Sequence, residues 1–177
     1  MLYTAVCAER PPRCLQFTMI PMTADPQRLL ADLARLTSSD GDRVKLFQAA
    51  ADRIKSDGGY RWVGLYDVDS QSGIVANIVW SGLGAPAYPT FPITSGLTGA
   101  AIANRKMINV GDVSADPRYL TALGTTRSEI IVPVFEQSGE NVIGTIDVES
   151  SGPNAFGADA ETLLQACSEV LQPLWQR

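Results

Sequence analysis

Five side chains in three short segments have the types and the spacing that binding of a small cationic group requires. Trp62 and Tyr66 lie four residues apart in "RWVGLYDVD", Glu129 lies in "SEIIVPVFE", and Asp147 and Glu149 alternate in "NVIGTIDVES". Carboxylates form charge-assisted hydrogen bonds with ammonium groups, and aromatic rings attract cations over their faces. If the three segments are neighbouring strands, these side chains line an acidic and aromatic pocket for a small ligand.

Alternation along the strands decides which side chains share a face of the sheet. The aliphatic positions make one face suited to packing under helices, which holds Val63, Leu65, Ile130, Val132, Val134, Val142, Gly144, Ile146 and Val148. The opposite face then holds Trp62, Tyr66, Glu129, Ile143, Thr145, Asp147 and Glu149. A second interpretation stays open, because a sheet face without helices is often in contact with water and its carboxylates are then solvated.

The stretch "SGLTGAAIANRK" at 95–106 predicts a glycine turn that opens a helix. Free N–H groups at a helix start favour negative charge, so this turn could hold a ligand carboxylate opposite the acids. The residues concerned are Gly96, Leu97, Thr98 and Gly99. The alternative is an ordinary helix start that Ser95 or Thr98 caps.

Composition excludes several kinds of chemistry. The 177 residues include no histidine, so Ser-His and Cys-His nucleophile pairs are excluded and the commonest metal ligand is missing. Cys7, Cys14 and Cys167 form no CxxC pair, which favours a reducing, cytoplasmic setting without a zinc site or disulfide framework. A net charge of −5 without a basic cluster disfavours nucleic acid as a partner, and no apolar run is long enough to cross a membrane. We therefore expect neither a cofactor nor a metal ion.

Helices at both ends must support these strands. Leucines at 29, 30, 33 and 36 predict one helix after a cap at Thr23 or Asp25, and Val44, Phe47, Ala50, Ala51 and Ile54 predict a second. Two hairpins follow, and "ADAETLLQACSEVLQPLW" predicts a final amphipathic helix with Cys167 in its apolar stripe. Helices flanking an antiparallel sheet make an α+β fold with residues 23–177 as one domain, and residues 1–22 lack periodicity and are interpreted as a tail.

The segments "RWVGLY", "GLTGAAIANRKMINVGDVSADPRY", "RSEIIVPV" and "NVIGTIDVESSGPNAF" resemble, in order and spacing, the GAF domain, and within it the free methionine-(R)-sulfoxide reductases. The resemblance spans about 25–175. It implies a central antiparallel sheet of about six strands, terminal helices on its back, a ligand pocket on its front, and homodimers through the terminal helices. It also implies that Trp62, Tyr66, Glu129, Asp147 and Glu149 line the ligand site, although the last acid is usually aspartate in those reductases.

The resemblance fails at the thiols. The reductases carry their key cysteine within the glycine turn, where this chain has Thr98, and two others near the positions of Tyr88 and Ala122; here no cysteine lies between Cys14 and Cys167. A threonine hydroxyl cannot replace a thiol that must pass through a sulfenic acid and a disulfide.

Two functional hypotheses follow. The first is a non-catalytic GAF sensor of signal transduction that binds a small, amino-acid-like metabolite. The second is a methionine sulfoxide reductase with an atypical cysteine arrangement, in which Cys7 and Cys14 supply the thiols.

Overall fold

The computed structural model describes residues 25–120 and 123–177. Within that part of the chain, four α-helices begin and end as α1 (Pro26–Thr37), α2 (Arg43–Gly58), α3 (Gly96–Asn104) and α4 (Ala158–Trp175). The strands are β1 (Trp62–Asp69), β2 (Ile74–Gly82), β3 (Thr90–Pro92), β4 (Ile108–Val110), β5 (Ser128–Phe135) and β6 (Val142–Ser150). Among these residues no helix is long and apolar enough to cross a membrane.

Local signals explain where the helices start and stop. Asp25 caps α1 by accepting a hydrogen bond from the Gln27 amide, and proline occupies the first helical position. Gly59 caps the end of helix α2 in the left-handed conformation that glycine tolerates best.

The six strands form one antiparallel sheet in the order β3-β2-β1-β6-β5-β4. Helices α1, α2 and α4 pack together on the back of the sheet, and α3 lies on the front against β4, β5 and β6. The predicted α+β arrangement, with terminal helices on one face of the sheet, is thereby confirmed. The largest core cluster lies between the sheet and the three back helices, and Cys167 is fully buried in it as predicted.

Two details of the predicted packing are wrong. Val44 is 51% exposed, and Leu46 takes a buried place on α2 instead. At the start of β6, Val142 packs on the front of the sheet and Ile143 against the back core, the reverse of the prediction. The cause is an irregularity in the pairing of β5 with β6, where Val134 pairs with Gly144 but Phe135 pairs with Val142. The extra residue shifts the alternation by one position.

The predicted tail at 1–22 lies outside the described residues, so its boundary at residue 23 stays a prediction.

Candidate functional site

Strand register brings the predicted site residues of β1, β5 and β6 onto one face. Trp62 pairs with Glu149, which pairs in turn with Glu129, so these three form one row across the sheet. In the next row Gly64 pairs with Asp147. Paired residues point to the same side of a sheet, so the acids collect beside the aromatic side chains on the front.

The three acids form a compact buried cluster, which we call the carboxylate trio: Glu129, Asp147 and Glu149. One carboxylate oxygen from each lies within 4.8 Å of one from each of the others. All three residues are buried, with exposed fractions of 6%, 5% and 0% respectively. Each has an oxygen without a hydrogen-bond partner: Glu129 Oε2, Asp147 Oδ1 and Glu149 Oε1. Burying three acids with unsatisfied oxygens costs free energy, which a bound cationic group would offset.

Burial is the main reason that the trio holds protons strongly. It raises the pKa of Glu129 to about 8, with a further increase from the nearby charge of Glu149. Burial also raises the pKa of Asp147 well above its ordinary value, and the charges of Glu129 and Glu149 add to this. The proximity of the Glu129 and Asp147 carboxyls lowers the pKa of Glu129 and raises that of Asp147, which favours the proton on Asp147.

Glu149 has neighbours that the other two acids lack. Burial raises its pKa, while a hydrogen bond from the Thr126 hydroxyl and the charge of Arg61 lower it. Arg61 also donates a hydrogen bond to the hydroxyl of Thr125. These contacts connect the segment before β5 to β1 and β6 beside the trio.

Trp62 and Tyr66 are both buried on the front face. The Trp62 indole donates a hydrogen bond to the Gly84 carbonyl at 3.2 Å, and the Tyr66 ring meets the Phe91 ring edge-on with 5.9 Å between centroids. Burial and the charges of the trio raise the pKa of Tyr66, so its phenol stays neutral. The neutral phenol can donate a hydrogen bond into the site.

The glycine turn delivers the start of α3 to the same region. Gly96 has φ +71°, a left-handed conformation that side chains disfavour, and a Cβ on Gly99 would lie 2.5 Å from the backbone carbon of Thr94. Ser95 occupies the capping position, but its side chain makes no capping hydrogen bond. The alternative of an ordinary cap from the Ser95 hydroxyl is therefore wrong. The N–H groups of the first turn of α3 donate no hydrogen bond to that hydroxyl.

A small cavity of about 30 Å³ is lined by two acids of the trio, Glu129 and Asp147, and by the start of α3. Its walls include six of the predicted positions: Tyr66, Gly96, Leu97, Thr98, Glu129 and Asp147. They do not include the other four predicted positions, Trp62, Gly99, Thr145 and Glu149. Sequence reasoning missed four lining residues, Pro86, Tyr88, Phe91 and Leu120. These come from connecting segments and the edge strand β3, where no periodicity points to a face.

Cys167, the cysteine among the described residues, does not line this cavity. Cys167 lies in the back core, and burial raises its pKa to about 12, so it is not a nucleophile. Tyr88 and Thr98, at two positions where the resemblance expects cysteines, line the cavity. Ala122, Cys7 and Cys14 lie outside the described residues.

Comparison with known proteins places this geometry in a family. The model of the GAF domain matches residues 42–172. Protein YtsP of Bacillus subtilis (strain 168) is 28% identical over 149 residues, which is 84% of this chain and 89% of that protein. The structure of free methionine-R-sulfoxide reductase from Neisseria meningitidis, in complex with its substrate, superposes with a TM-score of 0.78 at 26% identity, covering 93% of this chain and 96% of that one. The type II free methionine-R-sulfoxide reductase from Thermoplasma acidophilum gives a TM-score of 0.70 at 28% identity over 82% and 96% of the two chains. The chain belongs to the GAF domain family, a small-molecule-binding fold.

Proposed function

We propose that this protein is a non-catalytic binding module that recognises a small amino-acid-like metabolite through its ammonium and carboxylate groups. The observation that carries the proposal is the carboxylate trio, which is buried, compact and incompletely hydrogen-bonded. In signal transduction, such a module would report ligand occupancy through a homodimer formed by its terminal helices or through a partner protein.

The dimensions of the trio suit a primary ammonium group. An atom at the centre of three oxygens separated by at most 4.8 Å lies no more than about 2.8 Å from each of them. That is the length of a charge-assisted N–H···O hydrogen bond. A primary ammonium has three N–H donors, one for each acid. The Tyr66 ring in the cavity wall adds an aromatic face toward a cation.

The start of α3 supplies the complementary half of the proposed site. Gly96, Leu97 and Thr98 line the same cavity as Glu129 and Asp147. First-turn N–H groups attract a carboxylate, so the two ends of a zwitterion would meet opposite charges. The cavity of about 30 Å³ holds one or two water molecules, so an amino acid must displace the half-exposed side chains of Tyr88 and Leu120 outward.

Among the described residues that line the cavity there is no cysteine, which supports binding without chemistry. Thr98 lies in the cavity wall where a reductase would need its nucleophile, and a threonine without an adjacent base is a weak nucleophile that cannot be oxidised and reduced. No histidine in the sequence can activate it.

Titration calorimetry and native mass spectrometry with methionine, its two sulfoxides and related amino acids test the proposal. We expect at least one to bind in a 1:1 ratio, and Asp147→Asn to weaken it more than tenfold because an ammonium loses a buried charged partner. Glu140→Gln, an exposed acid outside the cavity, is the matched control and should bind normally. Absence of binding across this panel, or equal affinity of the Asp147→Asn variant, contradicts the proposal.

The alternative is reduction of free methionine-(R)-sulfoxide, which the two related reductase structures motivate. A thioredoxin-coupled assay on that substrate decides between the two. We expect no turnover from the wild type, and none from a Cys7→Ser, Cys14→Ser double variant. Turnover that the double variant loses would establish a reductase with thiols from the tail. Turnover that survives in it would show that the argument from the missing cysteines is wrong.

A further inference from the structure

The carboxylate trio has the donor set of a metal site as well as that of an ammonium site. Glu129 comes from β5, and Asp147 and Glu149 come from alternate positions of β6. We infer that the trio binds a single hard divalent cation of the size of Ca²⁺, at the inner end of the cavity and in competition with cationic ligands. The inference requires the buried trio and does not depend on the ligand being an amino acid.

Distances support an ion of this size. The centre of the trio lies at most about 2.8 Å from three carboxylate oxygens, and Ca²⁺ binds oxygen at roughly 2.3–2.6 Å. Small rotations of the two glutamate side chains close that gap. Carboxylates coordinate Ca²⁺ through one or both oxygens, so three of them can supply up to six of its ligands.

A fourth oxygen on the same face points to a missing ligand independently of the acids. Thr145 is fully buried, two residues before Asp147 on β6, and its hydroxyl has no hydrogen-bond partner. Buried hydroxyl groups are normally satisfied by protein or by bound water. An ion with a retained water molecule would give the unpartnered oxygens of this face a common partner.

Charge and volume favour this occupant over larger ones. Once a bound cation has displaced their protons, the three carboxylates carry a charge of −3, and Arg61, whose charge acts on Glu149, offsets one of them. A divalent cation neutralises the remainder. The cavity of about 30 Å³ beside Glu129 and Asp147 has room for one or two waters of the ion, whereas Mg²⁺ usually retains several waters and demands octahedral geometry.

Sequence analysis predicts no metal site, because it relies on histidine and on paired cysteines. The acids of the trio are up to 20 residues apart in the chain, and only the pairing of β5 with β6 brings them together.

Calcium titration of the chelator-treated, full-length protein tests the inference. At pH 8 we expect about one Ca²⁺ per chain, a higher unfolding temperature, release of protons, and at least tenfold weaker binding of Mg²⁺. Asp147→Asn should lose calcium binding, Thr145→Val should weaken it severalfold, and Glu140→Gln should retain it.

The inference is overturned if about 10 mM CaCl₂ gives neither binding heat nor a thermal shift, at the weak end of protein calcium sites. It is also overturned if Mg²⁺ binds as tightly as Ca²⁺, or if Asp147→Asn retains wild-type calcium affinity. Amino-acid titrations without metal are a separate measurement. Amino-acid binding without calcium binding rejects only this inference, and calcium binding without amino-acid binding rejects only the proposed function.

Discussion

At pH 8 the Glu129→Gln variant should be more stable than the wild type, whereas at pH 4.5 it should have equal or lower stability. Burial raises the pKa of Glu129 from 4.5 to about 8. The folded protein therefore binds a proton more tightly than the unfolded chain, whose glutamate has an ordinary pKa. Stability from this group is complete below pH 4.5 and is lost as the pH rises toward 8. Glutamine has nearly the same shape and no charge, so it avoids that loss.

The expected gain at pH 8 is about 2–4 kcal/mol, because each unit of pKa shift corresponds to about 1.4 kcal/mol and the buried glutamine amide must itself be desolvated. Chemical denaturation between pH 4.5 and pH 8.5, without ligand or divalent metal, measures it. Glu140→Gln serves as the matched control, with no expected trend against the wild type. A Glu129→Gln variant that is less stable than the wild type across the whole range would show that Glu129 stabilises the empty site.

This prediction also implies that the trio lowers the stability of the empty protein and favours the binding of a cation. The trio weakens the empty protein at neutral and alkaline pH, because its buried carboxyls must either keep protons that the unfolded chain releases or carry desolvated charge. A bound cation, whether ammonium or metal, restores the lost free energy and displaces protons. Affinity for either should therefore rise with pH as the acids ionise.

Much of the fold could be predicted because its local signals agree with one another. Asp25 and Pro26 mark the start of α1, Gly59 caps the end of α2, and the alternation in β1 and β5 assigns the same faces as the structure does. Where the pairing skips a residue at Ile143, alternation gave the wrong face. A bulge depends on how two strands pair, and one strand's own pattern does not contain it.

The sequence could predict the part of the candidate site that depends on strand pairing and alternation. Trp62, Glu129 and Glu149 share a row because three strands pair, and alternation places each of them on the front. The cavity walls from Pro86, Tyr88 and Leu120 depend on the paths of connecting segments, which have no period. The unpartnered oxygens of the trio are a property of its packing, and they provide the strongest reason to propose a ligand.

Gly64→Ala should damage both the fold and the site, because Gly64 occupies the floor of the front face between two large rings. A Cβ at this position would lie 2.3 Å from Trp62 Cη2 and 2.8 Å from Tyr66 Cε2. Both rings belong to buried side chains, so neither can move without disturbing its own contacts. Trp62 would strain its hydrogen bond to the Gly84 carbonyl, and Tyr66 would shift against Phe91.

Overpacking of this kind costs about 1–3 kcal/mol, and in a domain of this size each kcal/mol lowers the unfolding temperature by roughly 2–4 °C. Gly41→Ala is the matched control, since a Cβ there makes only ordinary contacts of 3.6–3.8 Å with Leu46. Thermal unfolding should separate the two variants clearly. Gly64 pairs with Asp147, so displacement of the Trp62 and Tyr66 rings also changes the surroundings of the trio. We therefore expect Gly64→Ala to weaken amino-acid binding at temperatures where the variant remains folded. A Gly64→Ala variant that matches Gly41→Ala in stability and the wild type in affinity would contradict this prediction. It would mean that the front face accommodates a methyl group at Gly64 without loss of stability.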